Sequence, residues 1–189
     1  EMKIESKLVA GFVALAVTFN TASAFSKELR LSMAPPPKSP WGAVAQKFVD
    51  KVKEVSGGNL TIKAYMGSKL GGEQDVVKQI ARGRIDMGVM SNTAVSLLVP
   101  EFGLLASPYA FDSAKQFDCV ADNHLLSTFG KDFSNAGIRT LSWMEVGFQV
   151  IFSKNGVRVP ADMAGVKVRT APSVTDSMFI QTAGGTAVP

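Results

Sequence analysis

Leu29-Arg30-Leu31-Ser32-Met33-Ala34, Leu60-Thr61-Ile62-Lys63-Ala64-Tyr65-Met66 and Ile85-Asp86-Met87-Gly88-Val89-Met90 are the stretches whose reading decides the fold. The first two alternate at period two, which is strand spacing. The third is an apolar run of the kind buried on both faces of a parallel sheet. The intervals between them read as helices. Pro35-Pro36-Pro37 ends the first strand, Val44, Phe48, Val52 and Val55 recur at helical spacing from Trp41 to Val55, and Gly57-Gly58 stops the helix. Leu70-Gly71-Gly72-Glu73 opens a second helix with Val76, Val77 and Ile80 on one face, closed near Gly83. Strand, helix, strand, helix, strand predicts an α/β lobe with parallel pairing.

Further along the pattern loosens. Pro100 to Phe111, with Pro100, Gly103 and Pro108 among apolar residues, reads as a buried connection, and a helix follows from about Ser113 to Phe133. Strands are predicted over Gly137–Trp143, Phe148–Ser153 and Val166–Thr170, and a helix over Ser173–Thr182 with Ser173 as its N-cap. After Gly184-Gly185 the first residues of another strand begin, an ending that reads as a truncated chain.

A chain of 189 residues with 46% hydrophobic content suffices for one sizeable domain or two small ones. A basic start at Met2 to Lys7, an apolar run from Leu8 to Phe19 and the small residues Ala22-Ser23-Ala24 predict a secretory signal peptide over residues 1–24, cleaved before Phe25. The apolar run is shorter than the ~20 residues that a bilayer core requires, and no later stretch is long and apolar enough. Removing 1–24 takes two basic and two acidic residues and leaves the net charge at +4. The basic residues are dispersed and not interleaved with aromatics, which argues against nucleic acid and accords with small anionic ligands. Cys119 is the only cysteine, so no internal disulfide forms, and it reads as a small buried hydrophobe in a helix.

Catalytic machinery is not visible. His124 is the only histidine, and no nucleophile elbow, P-loop or dinucleotide fingerprint occurs, so no catalytic residue, cofactor or enzyme activity is expected. Asp118, Asp122 and His124 fall on one helical face but read as solvated side chains, so no metal site is predicted. Gly71-Gly72-Glu73 has two readings: free N–H groups that hold an anion, or a tight turn whose acid complements the helix dipole. Trp41 after Pro40 either walls a pocket or starts a helix. Arg169, read as a buried or half-buried arginine on a short β-branched strand before a loop that opens a helix, is placed to hold a planar guanidinium fork toward a carboxylate. Its other reading is an exposed edge-strand arginine, solvated or paired with Asp162.

Gly57-Gly58-Asn59-Leu60, Gly67-Ser68-Lys69-Leu70-Gly71-Gly72-Glu73, Gly83-Arg84-Ile85-Asp86-Met87, Ser107-Pro108-Tyr109-Ala110-Phe111 and Pro160-Ala161-Asp162-Met163-Ala164-Gly165-Val166-Lys167-Val168-Arg169 occur in this order. Through them the chain, from Leu29 to Pro189, resembles the DctP-type solute-binding proteins of tripartite ATP-independent periplasmic (TRAP) transporters. The resemblance implies an α/β, periplasmic-binding-protein-like fold of two lobes around a cleft that closes on a small organic acid. It implies a first lobe over 25–146 and the start of a second, incomplete one over 147–189. Arg169 occupies the position that binds the substrate carboxylate. Trp41, Ser91 and Asn92 fall in loops that line the cleft in relatives, and Gln149 stands where many relatives carry a second arginine. The implied partners are the organic acid and the TRAP membrane permease subunits, the implied location the periplasm. A ligand-sensing or remnant binding module and an exported enzyme are the alternatives.

Overall fold

β1 (Lys27–Met33) runs between β2 (Leu60–Tyr65) and β3 (Met87–Val89), parallel to both, in the computed structural model, which describes residues 27–171 and 173–188. The signal-peptide reading of 1–24 lies outside the described residues. Lys27 to Ser32 pair in register with Leu60 to Tyr65, and Leu31 to Met33 with Met87 to Val89. Residues 31–33 therefore carry a ladder on each side, and Leu31, Ser32 and Met33 are all buried. Burial on both faces thus belongs to the end of β1. β3 has only three residues and borders the sheet among the described residues, with Met87 and Val89 half-buried and Gly88 exposed. The apolar run is cut short because Asp86 leaves the ladder. Its Oδ2 accepts the Arg30 backbone N–H at 2.8 Å and lies 3.5 Å from Arg30 Nε, while the Arg30 guanidinium donates to the Arg84 carbonyl.

α1 (Pro40–Val55) begins where Ser39 Oγ accepts the Gly42 N–H at 3.1 Å, with Pro40 in the first turn where its missing N–H costs nothing. Trp41, Ala45, Val49 and Val52 pack on the sheet. The stripe singled out by periodicity is only partly used, because Val44, Phe48 and Val55 are exposed. Small residues decide the phase: a Cβ at Gly42 would lie 2.5 Å from the Pro37 carbonyl oxygen, so only this face of the helix approaches the preceding turn. α2 (Glu73–Ala81) buries Val76 and Val77 as its spacing predicts, and a one-turn helix α3 (Asn92–Val95) follows β3.

The predicted connection after Pro100 is a 3₁₀ helix, Pro100–Ala106, with Phe102 and Gly103 buried. The helix expected from Ser113 is α4 (Ala114–Val120) and α5 (Leu126–Asn135) joined by a π-helical turn, Ala121–Leu125. Asn123 Nδ2 donates to the Cys119 carbonyl across this turn at 2.7 Å. Ala121 and Leu125 enter the core there, whereas Cys119 is exposed, contrary to expectation. Phe102 is the hub of the cluster, edge-on to Phe129 at 5.3 Å and to Phe133 at 5.1 Å, with Trp143 at 5.8 Å.

The strands predicted over Gly137–Trp143 and Phe148–Ser153 do not form. Alternation makes a strand only where a neighbour supplies a ladder, and none lies beside them among the described residues. Ile138 and Trp143 instead pack against the aromatic cluster, and Phe148, Val150 and Phe152 stay exposed. β4 (Lys167–Arg169) and β5 (Thr186–Val188) form a second parallel sheet, joined by α6 (Val174–Thr182). Ser173 caps α6 as predicted, its Oγ accepting the Asp176 N–H at 3.1 Å. Thr175 Oγ1 donates to the Gly103 carbonyl at 3.3 Å and docks α6 on the 3₁₀ helix. No described helix is long and apolar enough to cross a membrane.

Two predictions follow from this packing. Phe102→Ala removes the hub of the aromatic cluster and lowers the unfolding free energy in urea by about 3–5 kcal/mol. The Arg30 backbone N–H holds Asp86 below the usual carboxylate range against the opposing effect of burial, and the Arg30 guanidinium adds to it. A depressed native pKa stabilises the fold above the unfolded value of ~3.9, and that contribution disappears as pH falls through the lower native value. Asp86→Asn therefore lowers Tm at neutral pH and gives a flatter fall of Tm on acidification than the parent, measured by circular dichroism melts across this acid range.

Candidate functional site

Parallel pairing brings the carboxyl ends of strands together, and ligands of open α/β sheets bind just beyond such ends. Here Pro35 follows β1, Ser68 and Glu73 follow β2, Ser91 and Thr93 follow β3, and Arg169 ends β4. These six residues are among the walls of one cleft of about 490 Å³. The cleft therefore takes its walls from both sheets. A smaller hollow of about 300 Å³ at the 3₁₀ helix and α5 is lined by Glu101 and Asp132 and by no basic residue.

Backbone bonds tie the wall together. The Gly67 N–H donates to the Pro35 carbonyl at 3.0 Å and the Ser68 N–H to the Met33 carbonyl at 3.2 Å, so the exit of β2 is clamped onto the exit of β1. Ser68 takes φ +56°, a left-handed conformation that a side chain rarely adopts. Across the cleft floor the Ser91 hydroxyl lies 2.6 Å from Glu73 Oε2 and donates to it. Ser91 Oγ in turn accepts the Ala94 N–H at 3.1 Å as cap of α3 and sits 2.9 Å from Thr93 Oγ1. A capping serine thereby orients a half-buried carboxylate at the first turn of α2. This favours the acid-complementing reading of Gly71-Gly72-Glu73, since the first turn already carries Glu73 and Asp75.

Arg169 is exposed at the cleft wall and not buried or half-buried as its strand suggests, because β4 is a three-residue strand of a two-stranded sheet; its backbone is registered opposite Val188, and it forms no ion pair among the described residues. Asp162 is engaged elsewhere. Its Oδ2 accepts the N–H of Arg158 at 2.8 Å and of Val159 at 3.1 Å, which hold its carboxyl below the usual range. Of the other residues singled out from sequence, Ser91 lines the cleft and Trp41, Asn92 and Gln149 do not. Trp41 packs on the first sheet, and Asn92 Oδ1 accepts the Thr93 N–H at 2.9 Å. Gln149 is exposed. Burial raises the Asp176 pKa, and the hydrogen bonds from Ser173 and Gln149 oppose that rise. Ser68, Glu73 and Thr93 were not assigned to the cleft from sequence. Only Glu73 carried a local signal, its place just after Gly71-Gly72. Among the described residues no group of three His, Cys, Asp or Glu side chains gathers to hold a metal.

The left-handed Ser68 supplies a test of this wall. Ser68→Gly removes the Cβ penalty and raises Tm slightly, whereas Ser68→Val, with its branched Cβ, destabilises by about 1–3 kcal/mol in urea melts.

Comparison with known proteins places this geometry. The family model described as bacterial extracellular solute-binding protein, family 7 (DctP), matches residues 31–189. Two relatives whose names state a ligand are the 2,3-diketo-L-gulonate-binding periplasmic protein YiaO of Escherichia coli and the C4-dicarboxylate-binding protein DctB of Bacillus subtilis. The first is 27% identical over all of this chain and 58% of its own length, the second 26% identical over 71% of this chain and 39% of its own. A TRAP periplasmic solute-binding protein from Sulfitobacter sp. NAS-14.1, solved with bound β-D-galacturonate, superposes with a TM-score of 0.80 at 26% identity, over 86% of this chain and 55% of that one. The chain thus spans about half the length of the proteins it matches. With a family match over most of its residues and the same α/β architecture around the cleft, the chain belongs to the DctP family of bacterial extracellular solute-binding proteins.

Proposed function

We propose that this chain is the ligand-capturing part of a periplasmic TRAP solute-binding protein, which takes a small organic acid into the cleft and delivers it to the membrane permease. The observation that supports this reading is Arg169, a guanidinium at the cleft wall with no carboxylate partner among the described residues. A bidentate guanidinium–carboxylate pair is directional and is stronger than an exposed pair once water is excluded. Relatives named or solved with organic acids point to the same ligand class. In this reading residues 25–146 form the first lobe and 147–189 begin the second. Arg169 and Ser91 touch the ligand. Trp41, Asn92 and Gln149 support the walls from outside the cleft. Secretion through residues 1–24 brings the protein to the periplasm.

The test is calorimetric titration of the purified protein with D-galacturonate and with succinate. At least one acid binds, Arg169→Ala abolishes the binding heat, and Arg169→Lys, a point charge without the planar fork, weakens binding about tenfold or more. An Arg169→Ala protein that binds both acids as well as its parent overturns the assignment.

A further inference from the structure

The segment between β1 and α1 is Ala34-Pro35-Pro36-Pro37-Lys38-Ser39, and its first two residues line the cleft. Three consecutive prolines fix three φ angles and carry no N–H, so this turn is held through its carbonyls. The Pro35 carbonyl accepts the Gly67 N–H at 3.0 Å. The Pro36 carbonyl accepts the Ser39 N–H at 3.0 Å and the Ser39 hydroxyl at 2.6 Å. The Pro37 carbonyl lies against Gly42, where a Cβ would come within 2.5 Å of its oxygen and 2.6 Å of the Pro36 oxygen. Gly42 in turn donates its N–H to Ser39 Oγ at 3.1 Å.

From this arrangement we propose that Gly42 is a positioning residue for ligand binding. Its bare backbone is the seat on which the proline turn rests, and that seat sets where Ala34 and Pro35 stand in the cleft wall. The inference rests on the cleft being the capture site, as argued above. Glycine is a poor choice inside a helix, because alanine loses less backbone freedom on folding. The φ of Gly42 is not positive, so the conformation does not ask for glycine. The close approach of the turn does.

Neither side of this contact yields cheaply. Side-chain carbons do not come within 3.0 Å of other atoms, and the atoms met here are backbone, not the end of a flexible side chain. The helix cannot back away, because Trp41 and Ala45 on either side of Gly42 pack on the sheet. A methyl group at position 42 therefore lifts the turn, and the stiff prolines carry the displacement to Pro35. A wall already in place spares a ligand the cost of ordering it, so a shifted or loosened wall lowers affinity.

The Gly67 amide reports on this wall without any ligand, because its acceptor is the Pro35 carbonyl. The experiment compares the purified protein with Gly42→Ala and Gly137→Ala. It measures hydrogen exchange of the Gly67 amide by NMR, and affinity for D-galacturonate and for succinate by calorimetry. Gly137→Ala is the control: its Cβ would meet the Ala81 carbonyl oxygen at 2.7 Å, in a backbone with φ +78°, outside the cleft lining. The proposal expects Gly42→Ala to exchange Gly67 at least about tenfold faster, with the amides of the β1–β2 ladder unchanged, and to bind acid at least about tenfold more weakly. Gly137→Ala lowers Tm and leaves the Gly67 rate and the affinity as in the parent. Unchanged Gly67 exchange in Gly42→Ala overturns the proposal. Faster exchange with unchanged affinity overturns it as well, and so do the same two effects in Gly137→Ala. If the folded parent binds neither acid, the capture reading falls and Gly67 exchange alone decides: a faster rate in Gly42→Ala upholds the seat and an unchanged one overturns it. Should Gly42→Ala fail to fold, Ser39→Ala, which frees the Pro36 carbonyl from the hydroxyl without adding volume, carries the same readouts. Faster exchange with weaker binding then supports the proposal, and unchanged values overturn it.

Discussion

Parallel pairing on both sides of Leu31, Ser32 and Met33 is the constraint on which the rest of the molecule depends. A strand with ladders on both edges and helices over its faces has no solvated surface, so these three residues are buried together. The direction of pairing matters as much as the burial. Because β2 and β3 run the same way as β1, their exits emerge on one side, and the loops that leave them meet there. The Gly67 and Ser68 N–H groups then bond to carbonyls at the end of β1, and the Ser91 hydroxyl bonds Glu73, which turns three separate loops into one wall.

The second sheet reaches the same cleft by a different route. β4 carries Arg169 at its end, and α6, capped by Ser173, is docked on the 3₁₀ helix through Thr175 and Gly103. That 3₁₀ helix is held in turn by Phe102 among Phe129, Phe133 and Trp143. The β4–α6 unit that carries the guanidinium is thus docked on an aromatic cluster whose rings are not among the cleft-lining residues. Charge is distributed sparingly in the cleft, with a guanidinium on one sheet and a serine-braced carboxylate at the first turn of α2. The other notable carboxylates serve the fold. Asp86 ties β1 to the entry of β3, Asp162 accepts the N–H groups ahead of the Pro160–Met163 turn, and Asp176 is buried with Ser173.

Between Ile138 and Arg158 the chain shows how far alternation depends on neighbours. Val146, Phe148, Val150 and Phe152 alternate as a strand would, yet they are exposed and carry no ladder. Phe102 and Trp143, of similar chemistry, are drawn into a core because aromatic partners lie within 6 Å of them. Apolar character supplies the tendency to be buried, and a partner surface decides whether burial happens.

By itself the sequence determined the strand, helix, strand, helix, strand order from β1 to β3, the capping of α6 by Ser173 and the place of Arg169 on a strand end before a helix-opening loop. Each rests on local rules: period two for strands, period 3.6 for helices, a hydroxyl that accepts an orphan N–H. Tertiary structure alone decided which stripe of α1 is buried, since Trp41 with Ala45 and Val44 with Phe48 are equally helical in spacing. It also ended β3 early by giving Asp86 to Arg30, left Cys119 on the surface, and kept Gln149 out of the cleft wall. The cleft is the clearest case. Ser68, Glu73, Ser91 and Arg169 are spread over a hundred residues, and only the common direction of the strands brings them to one place.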